Sequence, residues 1–250
     1  MKSFVSFIGH PRSGHSIIGA LIDAHPNAIV PHEYGAIQKY QKKWHTCDEL
    51  FIGLQQQSAH DAANSHLRNP RSGAYHVPGQ WQGTHNGLAV IGDKHGGATA
   101  VAIGTNPSVL DVIYNEIQLP IKFIHVYRHP YDNIATIKNR HEFSLEKVVS
   151  FYFNVCNCID TTLDKINSAP QYSVLTIKQE EFVDTTVAHL HRICDYLELP
   201  PNLGYFQACS GIVFKSPRVT RDTVTWTESL KDIVRERAQR HPYLSSYNYA

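Results

Sequence analysis

The sequence predicts a single α/β domain, in which a central parallel sheet of about five strands is flanked by helices. Short apolar segments alternate along the chain with longer segments of helical periodicity. The apolar segments are nearly continuous rather than alternating with polar residues, which is typical of parallel strands covered on both faces. Because no internal repeat or linker-like tract interrupts this pattern, residues 1–250 are assigned to one domain.

Five apolar segments are predicted as the strands. Each is rich in aliphatic or aromatic residues, and each is followed by a glycine, a proline or a charged residue. The segments are residues 4–8, 28–30, 88–91, 121–127 and 172–177. Because the carboxyl ends of parallel strands meet at one edge of a sheet, ligand-binding residues are expected in the loops that follow them.

Helices are predicted between these strands. The first contains residues 17–22 and closes at His25, because the residue before a proline disfavours helical geometry. In the helix over 106–118, Asn106 is expected as the N-cap and Pro107 as the first helical residue. Further helices are expected over residues 130–140, 144–166, 183–197 and 228–240.

Residues 36–87 differ from the rest of the chain in composition. Residues 36–67 have helical character but are rich in glutamine and lysine, whereas residues 68–87 mix glycine and proline with aromatic side chains. The aromatic side chains of this loop are Tyr75, His76, Trp81 and His85. This composition favours a helical and loop cap that lines a substrate site, and a surface loop that Trp81 pins into the core is an equal alternative.

The overall composition excludes several classes of function. The net charge is +1, with 18% charged and 42% hydrophobic residues, which gives no general attraction for nucleic acid or an anionic membrane. No apolar segment approaches the roughly 20 residues that span a bilayer, and the N-terminal apolar run is too short for a signal peptide. The five cysteines are scattered and odd in number, which indicates a reducing, cytoplasmic compartment. Among the 16 histidines no recognised metal-binding motif occurs, so no metal site is expected.

Residues 9–16 join the first strand to the first helix and are the most informative segment of the chain. Gly14 permits a tight turn, Ser16 adds a hydroxyl and Arg12 supplies a full positive charge. A strand that turns directly into a helix points several backbone N–H groups at one position, where the helix dipole adds positive charge. The segment therefore predicts a phosphate site, although an ordinary strand-to-helix turn would share its glycine and serines.

The same segment, residues 9–16, matches the Walker A pattern with His15 in place of the lysine. A nucleoside triphosphatase needs that lysine on the phosphates and an acidic residue after a nearby strand for Mg²⁺. Asp93 follows the third strand and is a candidate, but the strand at 121–127 ends in Arg128. A nucleotide kinase or triphosphatase is therefore kept only as an alternative hypothesis.

Two arginines fit a ligand with two separate anionic groups. Arg12 lies in the loop, and Arg128 ends a strand with Thr136 eight residues beyond. This arrangement resembles the sulfotransferases that use 3′-phosphoadenosine 5′-phosphosulfate (PAPS), whose 5′-phosphosulfate loop looks like residues 11–16. Their 3′-phosphate motif is an arginine at a strand end followed by a serine at the spacing of Thr136. The chain departs from this pattern at Thr136 and at His15, where threonine is usual.

The N-terminal segment is particularly similar to tyrosylprotein sulfotransferases. The similarity covers residues 11–16, continues through residues 21–26 and reaches Glu33. It implies that Arg12 and Glu33 are catalytic and that the fold is the P-loop-like sulfotransferase architecture. Residues 215–221 more loosely resemble the segment that closes over the 3′-phosphate of the nucleotide.

The resemblance implies a site residue by residue, with PAPS as the donor, 3′-phosphoadenosine 5′-phosphate (PAP) as the product and no metal. The expected catalytic residues are Arg12, Glu33, Lys94 and His95. The expected nucleotide-binding residues are Arg12, Ser13, Gly14, His15, Ser16, Arg128, Thr136, Lys215, Ser216, Arg218 and Arg221.

Two residues are candidates for the base that takes the proton of the acceptor. Glu33 follows the second strand and is preferred because of the resemblance. His95 follows the third strand, where cytosolic sulfotransferases use a histidine, and imidazole titrates near neutral pH. Lys94 is expected to contact the sulfate or the acceptor, or otherwise to form an ion pair with Asp93.

The acceptor is predicted only as a class. The polar composition of residues 36–87 favours a polar acceptor with a hydroxyl or an amine, such as a small molecule, a saccharide or a tyrosine. No nucleic-acid or membrane partner is expected, and the oligomeric state is left open. A non-catalytic nucleotide-binding module of the same fold is a further alternative, which the two arginines and two candidate bases disfavour.

Overall fold

The computed structural model describes residues 1–41, 46–64 and 75–249 and confirms the predicted α/β architecture. A five-stranded sheet with the order β2-β3-β1-β4-β5 lies at its centre, and all neighbouring strands are parallel. The strands are β1 (Ser3–Gly9), β2 (Ala28–Ile29), β3 (Val90–Asp93), β4 (Ile121–Tyr127) and β5 (Tyr172–Lys178).

The central strand β1 sets the register of the sheet. Ser6 lies between Asp93 of β3 and Phe123 of β4, and every residue of β1 is buried. An isolated bridge between His32 and Lys94 extends the pairing of β2 with β3 beyond their last residues. The loops after these strands therefore open at one edge of the sheet, as expected for ligand sites in parallel sheets.

Eleven α-helices lie in the described part of the chain. They are α1 (His15–Asp23), α2 (Ala36–Gln41), α3 (Cys47–Ala63), α4 (Gly96–Thr105), α5 (Val109–Ile117), α6 (Pro130–Lys138), α7 (Leu145–Asn167), α8 (Gln179–Asp184), α9 (Thr186–Leu197), α10 (Leu203–Ile212) and α11 (Glu228–Ala238). A short 3-10 helix, Arg221–Thr223, precedes α11. Within the described ranges, none of the helices combines the length and the apolar character needed to cross a membrane.

Alternate side chains of β1 pack into two hydrophobic clusters, one on each face of the sheet. Val5 and Phe7 pack with residues of α1, α8, α9 and α10, whereas Phe4 and Ile8 pack with residues of α2, α3, α4, α5 and α7. A third cluster around Tyr131 joins α6, α7 and α11. The sheet is thus covered on both faces, which accounts for the continuous apolar character of its strands.

One predicted helix start is wrong. Asn106, expected to cap the helix over 106–118, instead ends α4, because its N–H donates to the carbonyl oxygens of Ala102 and Ile103. The next helix, α5, begins only after Ser108. Helix α4 itself was not predicted, since its alanine- and glycine-rich sequence carries no amphipathic pattern.

Residues 36–67 were expected to form a polar cap, but the helices found there also contribute to the core. Ile37 of α2, with Leu50 and Leu54 of α3, is fully buried in the cluster that contains Phe4. The polar residues that dominate the sequence therefore hide a narrow apolar face. Parts of the predicted cap, residues 42–45 and 65–74, lie outside the described residues.

Candidate active site

The loop after β1 has the backbone geometry of an anion site. Gly9 and Gly14 have φ angles of 149° and 96°, and a Cβ on Gly9 would collide with the carbonyl oxygen of Val126 in β4. Ser13 closes the turn, because its N–H donates to the carbonyl oxygen of His10 at 3.2 Å. Gly14 is the N-cap of α1 and has no side chain to cap the helix. The first N–H groups of α1 therefore remain for a ligand.

Arg12 and Glu33, the residues that the sequence motif marks as catalytic, share an unusual backbone conformation. Their φ angles are 70° and 56°, in the left-handed region that non-glycine residues rarely occupy. The other described non-glycine residues with positive φ, Gln118 and Glu198, terminate α5 and α9. No helix end accounts for Arg12 or Glu33, and strained backbone of this kind is concentrated at functional sites.

Asp93 holds the turn that carries Glu33. Its carboxylate accepts hydrogen bonds at 2.9, 2.8 and 2.8 Å from the N–H groups of Tyr34, Gly35 and Ala36. The carboxylate that a triphosphatase would use for Mg²⁺ is therefore already engaged, which disfavours that alternative. Within residues 1–41, 46–64 and 75–249, no group of three or more histidine, cysteine, aspartate or glutamate side chains is arranged to hold a metal ion.

Lys94 connects the Glu33 turn to the loop after β1. Its Nζ donates to Oε1 of Glu33 at 3.0 Å and to Oγ of Ser16 at 3.1 Å. Its ion-pair partner is thus Glu33 rather than Asp93, the neighbour that the sequence had suggested. The side chain crosses α1 at Gly19, where a Cβ would overlap with Cγ of Lys94. Residues after β1, β2 and β3 therefore meet at one ammonium group.

The Lys94–Glu33 pair spans the boundary between the protein interior and solvent. The side chain of Lys94 is 1% exposed and that of Glu33 is 46% exposed. Burial lowers the pKa of Lys94, and the charge of Glu33 partly restores it. Burial by itself would raise the pKa of Glu33, but the charge and the hydrogen bond of Lys94 hold that pKa below its usual value. Glu33 is therefore ionised at neutral pH and able to accept a proton.

His15, whose side chain had no predicted role, supports the loop from inside. It is buried, its Nδ1 lies 3.1 Å from Oγ of Ser13, and its ring packs against Gly96 at the start of α4. A Cβ on Gly96 would lie only 2.9 Å from the ring. Burial and the nearby charge of Lys94 hold the pKa of His15 well below its usual value, so the imidazole is neutral. The side chain packs the loop against α4.

Arg128, at the end of β4, joins the loop after β1 to the predicted 3′-phosphate residues. Its Nη1 donates to the carbonyl oxygen of Arg12 at 3.5 Å and to Oγ1 of Thr136 at 3.4 Å. Its Nη2 donates to the carbonyl oxygen of Arg218 and to Oγ1 of Thr220. The eight-residue spacing of the motif thus brings the guanidinium and the threonine hydroxyl together, beside the loop.

The predicted nucleotide-binding residues of the tail, residues 215–221, divide into two groups. Arg221 forms an ion pair with Asp132 at 3.1 Å, and its Nη1 donates to the carbonyl oxygen of Tyr249. Its guanidinium therefore anchors the tail rather than facing a ligand. The other predicted residues of the tail are exposed, and they are Lys215, Ser216 and Arg218.

Asp132 organises this region and was not predicted as a site residue. Its Oδ1 accepts hydrogen bonds from the N–H groups of Thr220 and Arg221 at 2.7 Å. Thr220 in turn places its Oγ1 2.9 Å from Oγ1 of Thr136. An acidic residue in the first turn after Pro130 is a recognisable sign of a helix start. It does not reveal that the same carboxylate holds a distant segment.

The aromatic residues of the predicted cap are only partly near this site. Tyr75 packs against the cluster that contains Val5 and Phe7; burial raises its pKa, while the charges of Arg12 and Arg140 lower it. The side chain of Trp81 is 40% exposed. Its backbone N–H donates to the carbonyl oxygen of Ala24, at the opposite end of α1 from the loop after β1. The alternative in which Trp81 is pinned into the core is therefore wrong, and Trp81 does not line this site either.

His95, the second candidate base, is the N-cap residue of α4 and directly follows Lys94. A Cβ on Gly35, two residues after Glu33, would lie 3.8 Å from Nδ1 of His95, so the two candidate bases lie beside the same turn. The geometry brings them together without choosing between them.

Comparison with known proteins is consistent with this geometry. A family model described as "Sulfotransferase family" matches residues 5–202. No curated protein matches the chain.

Several solved structures share the fold. The sulfotransferase domain from the curacin biosynthetic pathway is 14% identical, with 99% of each chain covered and a TM-score of 0.56. The sulfotransferase domain from the Synechococcus PCC 7002 olefin synthase is 15% identical, with 100% of this chain and 98% of that chain covered and a TM-score of 0.54. Mouse sulfotransferase SULT7A1, complexed with PAP, is 12% identical, with 96% of this chain and 84% of that chain covered and a TM-score of 0.53. At these identities the similarity shows the fold alone.

Proposed function

The chain belongs to the sulfotransferase family, and on that premise we propose that it transfers a sulfuryl group from PAPS to a hydroxyl or amine of a polar acceptor. The acceptor classes that fit are a small molecule, a saccharide and a tyrosine side chain. The observation that carries the proposal is the contact of Arg128 with both the phosphate loop and Thr136. Because it joins the predicted 3′-phosphate pair to the loop proposed for the 5′-phosphosulfate, it supports a ligand with two anionic groups.

The proposed nucleotide site draws on the loops after β1 and β4. The N–H groups of residues 14–16 and the guanidinium of Arg12 hold the 5′-phosphosulfate. Arg128 and Thr136 hold the 3′-phosphate, and the exposed residues 215–218 close over it. A structural neighbour whose complex contains PAP supports a bisphosphate nucleotide. Arg221, occupied by Asp132, is proposed to act only through the position of the tail.

In the proposed reaction the acceptor oxygen or nitrogen forms a bond to sulfur as its proton passes to the Glu33 carboxylate. The bond between sulfur and the bridging phosphate oxygen breaks, and PAP leaves with that electron pair. Arg12 and Lys94 place positive charge beside the leaving oxygen, where negative charge develops. The ionised state of Glu33, maintained by Lys94, supports its role as the base, and His95 is the alternative.

The finer features of the proposal rest on the sequence. The similarity of residues 11–16 and Glu33 to tyrosylprotein sulfotransferases keeps tyrosine among the acceptors. Tyr75, whose pKa burial raises and the charge of Arg12 partly lowers, is the residue of the 36–87 cap that we assign to the acceptor wall. A cytoplasmic location, proposed from the cysteines, fits a small-molecule acceptor better than a secretory protein.

The proposal is tested by a transfer assay that uses sulfur-labelled PAPS and a panel of hydroxylated small molecules, amines, saccharides and tyrosine peptides. Transfer of the label to any acceptor supports it, provided that the double variant Glu33→Gln/His95→Gln no longer labels that acceptor. PAP binding without transfer to any acceptor would favour a non-catalytic module. Calorimetry that detected ATP–Mg²⁺ binding but no PAP binding would favour the kinase alternative.

A further inference from the structure

Buried polar atoms of His95, one of the candidate bases, and of Gln38 lie close to the same glycine. Among the described residues, Nδ1 of His95 and both amide atoms of Gln38, Oε1 and Nε2, are shielded from solvent and have no hydrogen-bond partner. A Cβ on Gly35 would lie 3.6 Å from Oε1 of Gln38 and 3.8 Å from Nδ1 of His95. The two atoms therefore flank one small space, which stays open because residue 35 is a glycine.

The two atoms are chemically complementary. An amide oxygen accepts hydrogen bonds, and an imidazole nitrogen donates one when it carries the proton. Leaving both atoms buried and unpaired is costly, and a rotamer of Gln38 that brought Oε1 to Nδ1–H would satisfy both at once. The carboxylate of Asp93 does not compete, because three backbone N–H groups already occupy it.

We propose that Gln38 is a positioning residue for His95. Oε1 of Gln38 accepts a hydrogen bond from Nδ1–H of His95, which leaves the lone pair of Nε2 of His95 for the substrate that accepts the sulfuryl group. Which nitrogen of a histidine is protonated is set by the hydrogen bond that the other nitrogen makes. In this tautomer, Nε2 accepts a hydrogen bond from an N–H or O–H group of the acceptor. That contact orients the acceptor whether its proton passes to Glu33 or to His95.

The position of Gln38 is coupled to the rest of the site. Gln38 lies on α2, whose first residue, Ala36, donates its N–H to Asp93. The same carboxylate holds the turn that carries Glu33, so one buried group sets the positions of Glu33 and Gln38 together. The inference rests on the proposed sulfuryl transfer, which it deepens by assigning a tautomer to His95 and a hydrogen-bond donor to the acceptor.

The direct test is the tautomer of His95, measured by nitrogen-15 NMR of the full chain with labelled histidine. The His95→Gln variant identifies the resonance among the 16 histidines. We expect the proton on Nδ1 in the wild type and in Gln38→Glu, which keeps an acceptor oxygen, and its transfer to Nε2 in Gln38→Leu. The matched control is Gln41→Leu, which removes a glutamine of the same helix that bonds the carbonyl oxygen of Ala102. The same tautomer in the wild type and in Gln38→Leu would overturn the assignment.

Kinetics separate positioning from a structural effect. In Gln38→Leu, kcat should fall about tenfold or more while KM for PAPS is unchanged, and Gln38→Glu should retain most of the activity. Gln41→Leu should match the wild type. An unchanged kcat in Gln38→Leu would contradict the role in the reaction. Because the tautomer is measured without turnover, a chain that transfers no sulfuryl group but shows the Nδ1–H tautomer would contradict the proposed function alone.

Discussion

The ammonium group of Lys94 lies 3.0 Å from Oε1 of Glu33, and the lysine is by far the more buried member of the pair. A buried cation thus holds a partly exposed anion at the edge of the sheet. The same Nζ donates to Ser16, so the pair also links the start of α1 to the turn after β2. Removing either charge is expected to alter the other group, because a charge left unpaired at a buried position is costly.

Replacing Lys94 by methionine removes the charge and keeps most of the side-chain length. The pKa of Glu33 should then rise, because Lys94 lowers it, and the carboxylate should be protonated at a higher pH. The acidic limb of the profile of kcat/KM against pH is therefore expected to move to higher pH. Lys122→Met, which breaks the pair with Glu198 on the surface, should leave the profile in place. An unmoved acidic limb in Lys94→Met would contradict the role of the pair.

Glu33→Gln should lower kcat by about 10²- to 10⁴-fold, the usual range for loss of a general base, and should leave the affinity for PAP unchanged. Glu198→Gln is the matched control, because Glu198 also has a left-handed backbone and a lysine partner, at 2.7 Å. Turnover and calorimetry with PAP measure the two effects. Should His95→Gln abolish turnover while Glu33→Gln retains it, the base is His95.

Arg128→Ala should remove the preference for a 3′-phosphate. We expect PAP affinity to fall about 100-fold, because a charge-assisted contact is lost, with little change for adenosine 5′-phosphate. Calorimetry with both nucleotides measures the difference. Thr136→Ser keeps the hydroxyl and should retain the preference. If Arg128→Ala still prefers PAP by the wild-type factor, the 3′-phosphate lies elsewhere.

Gly96→Ala should destabilise the fold by about 1–3 kcal/mol, because the new Cβ is forced against the His15 ring. In a chain that already carries His15→Ala, the ring is absent and the same change should cost much less. Urea unfolding of both single variants and of the double variant gives the interaction energy. Strictly additive losses would mean that the contact with the ring does not determine the requirement for glycine.

Stability should decrease as the pH falls below about 6.5. Burial lowers the pKa of both His10 and His125 to about 3, whereas histidine in the unfolded chain titrates near 6.5. Between these values the unfolded state binds more protons, so each histidine lowers the free energy of unfolding by about 1.4 kcal/mol per pH unit. Urea unfolding measured across this range should show that the free energy of unfolding changes less steeply with pH in His125→Phe than in the wild type. The exposed His85, replaced by phenylalanine, is the control and should leave the slope unchanged.

Features that depend on neighbours in sequence were predictable. The strand β1 is buried throughout, and Gly14 directly precedes α1, so the strand, loop and helix of the candidate anion site follow from a short segment. Arg128 and Thr136 also meet as their spacing suggests, since Arg128 follows β4 directly and Thr136 lies in α6, the next helix. Local backbone geometry of this kind is determined by a few consecutive residues.

Features that depend on distant partners were not predictable. Lys94 pairs with Glu33 across 61 positions, and Asp132 holds Thr220 across 88. His15 acquires its role only because Gly96 leaves room for its ring. In each case the side chain alone permits several partners, and the choice is made by the packing of the whole sheet and its helices.

The left-handed backbone conformations of Arg12 and Glu33 raise the question of why neither position is a glycine. Each such position costs about 1–3 kcal/mol for a residue with a side chain, and glycine would adopt the same conformation without that strain. A chain selected only for stability would therefore favour glycine at both positions. Gln118 and Glu198 share the conformation but end helices; at Arg12 and Glu33 no helix end requires it, which supports the proposal that these two side chains are retained for chemistry.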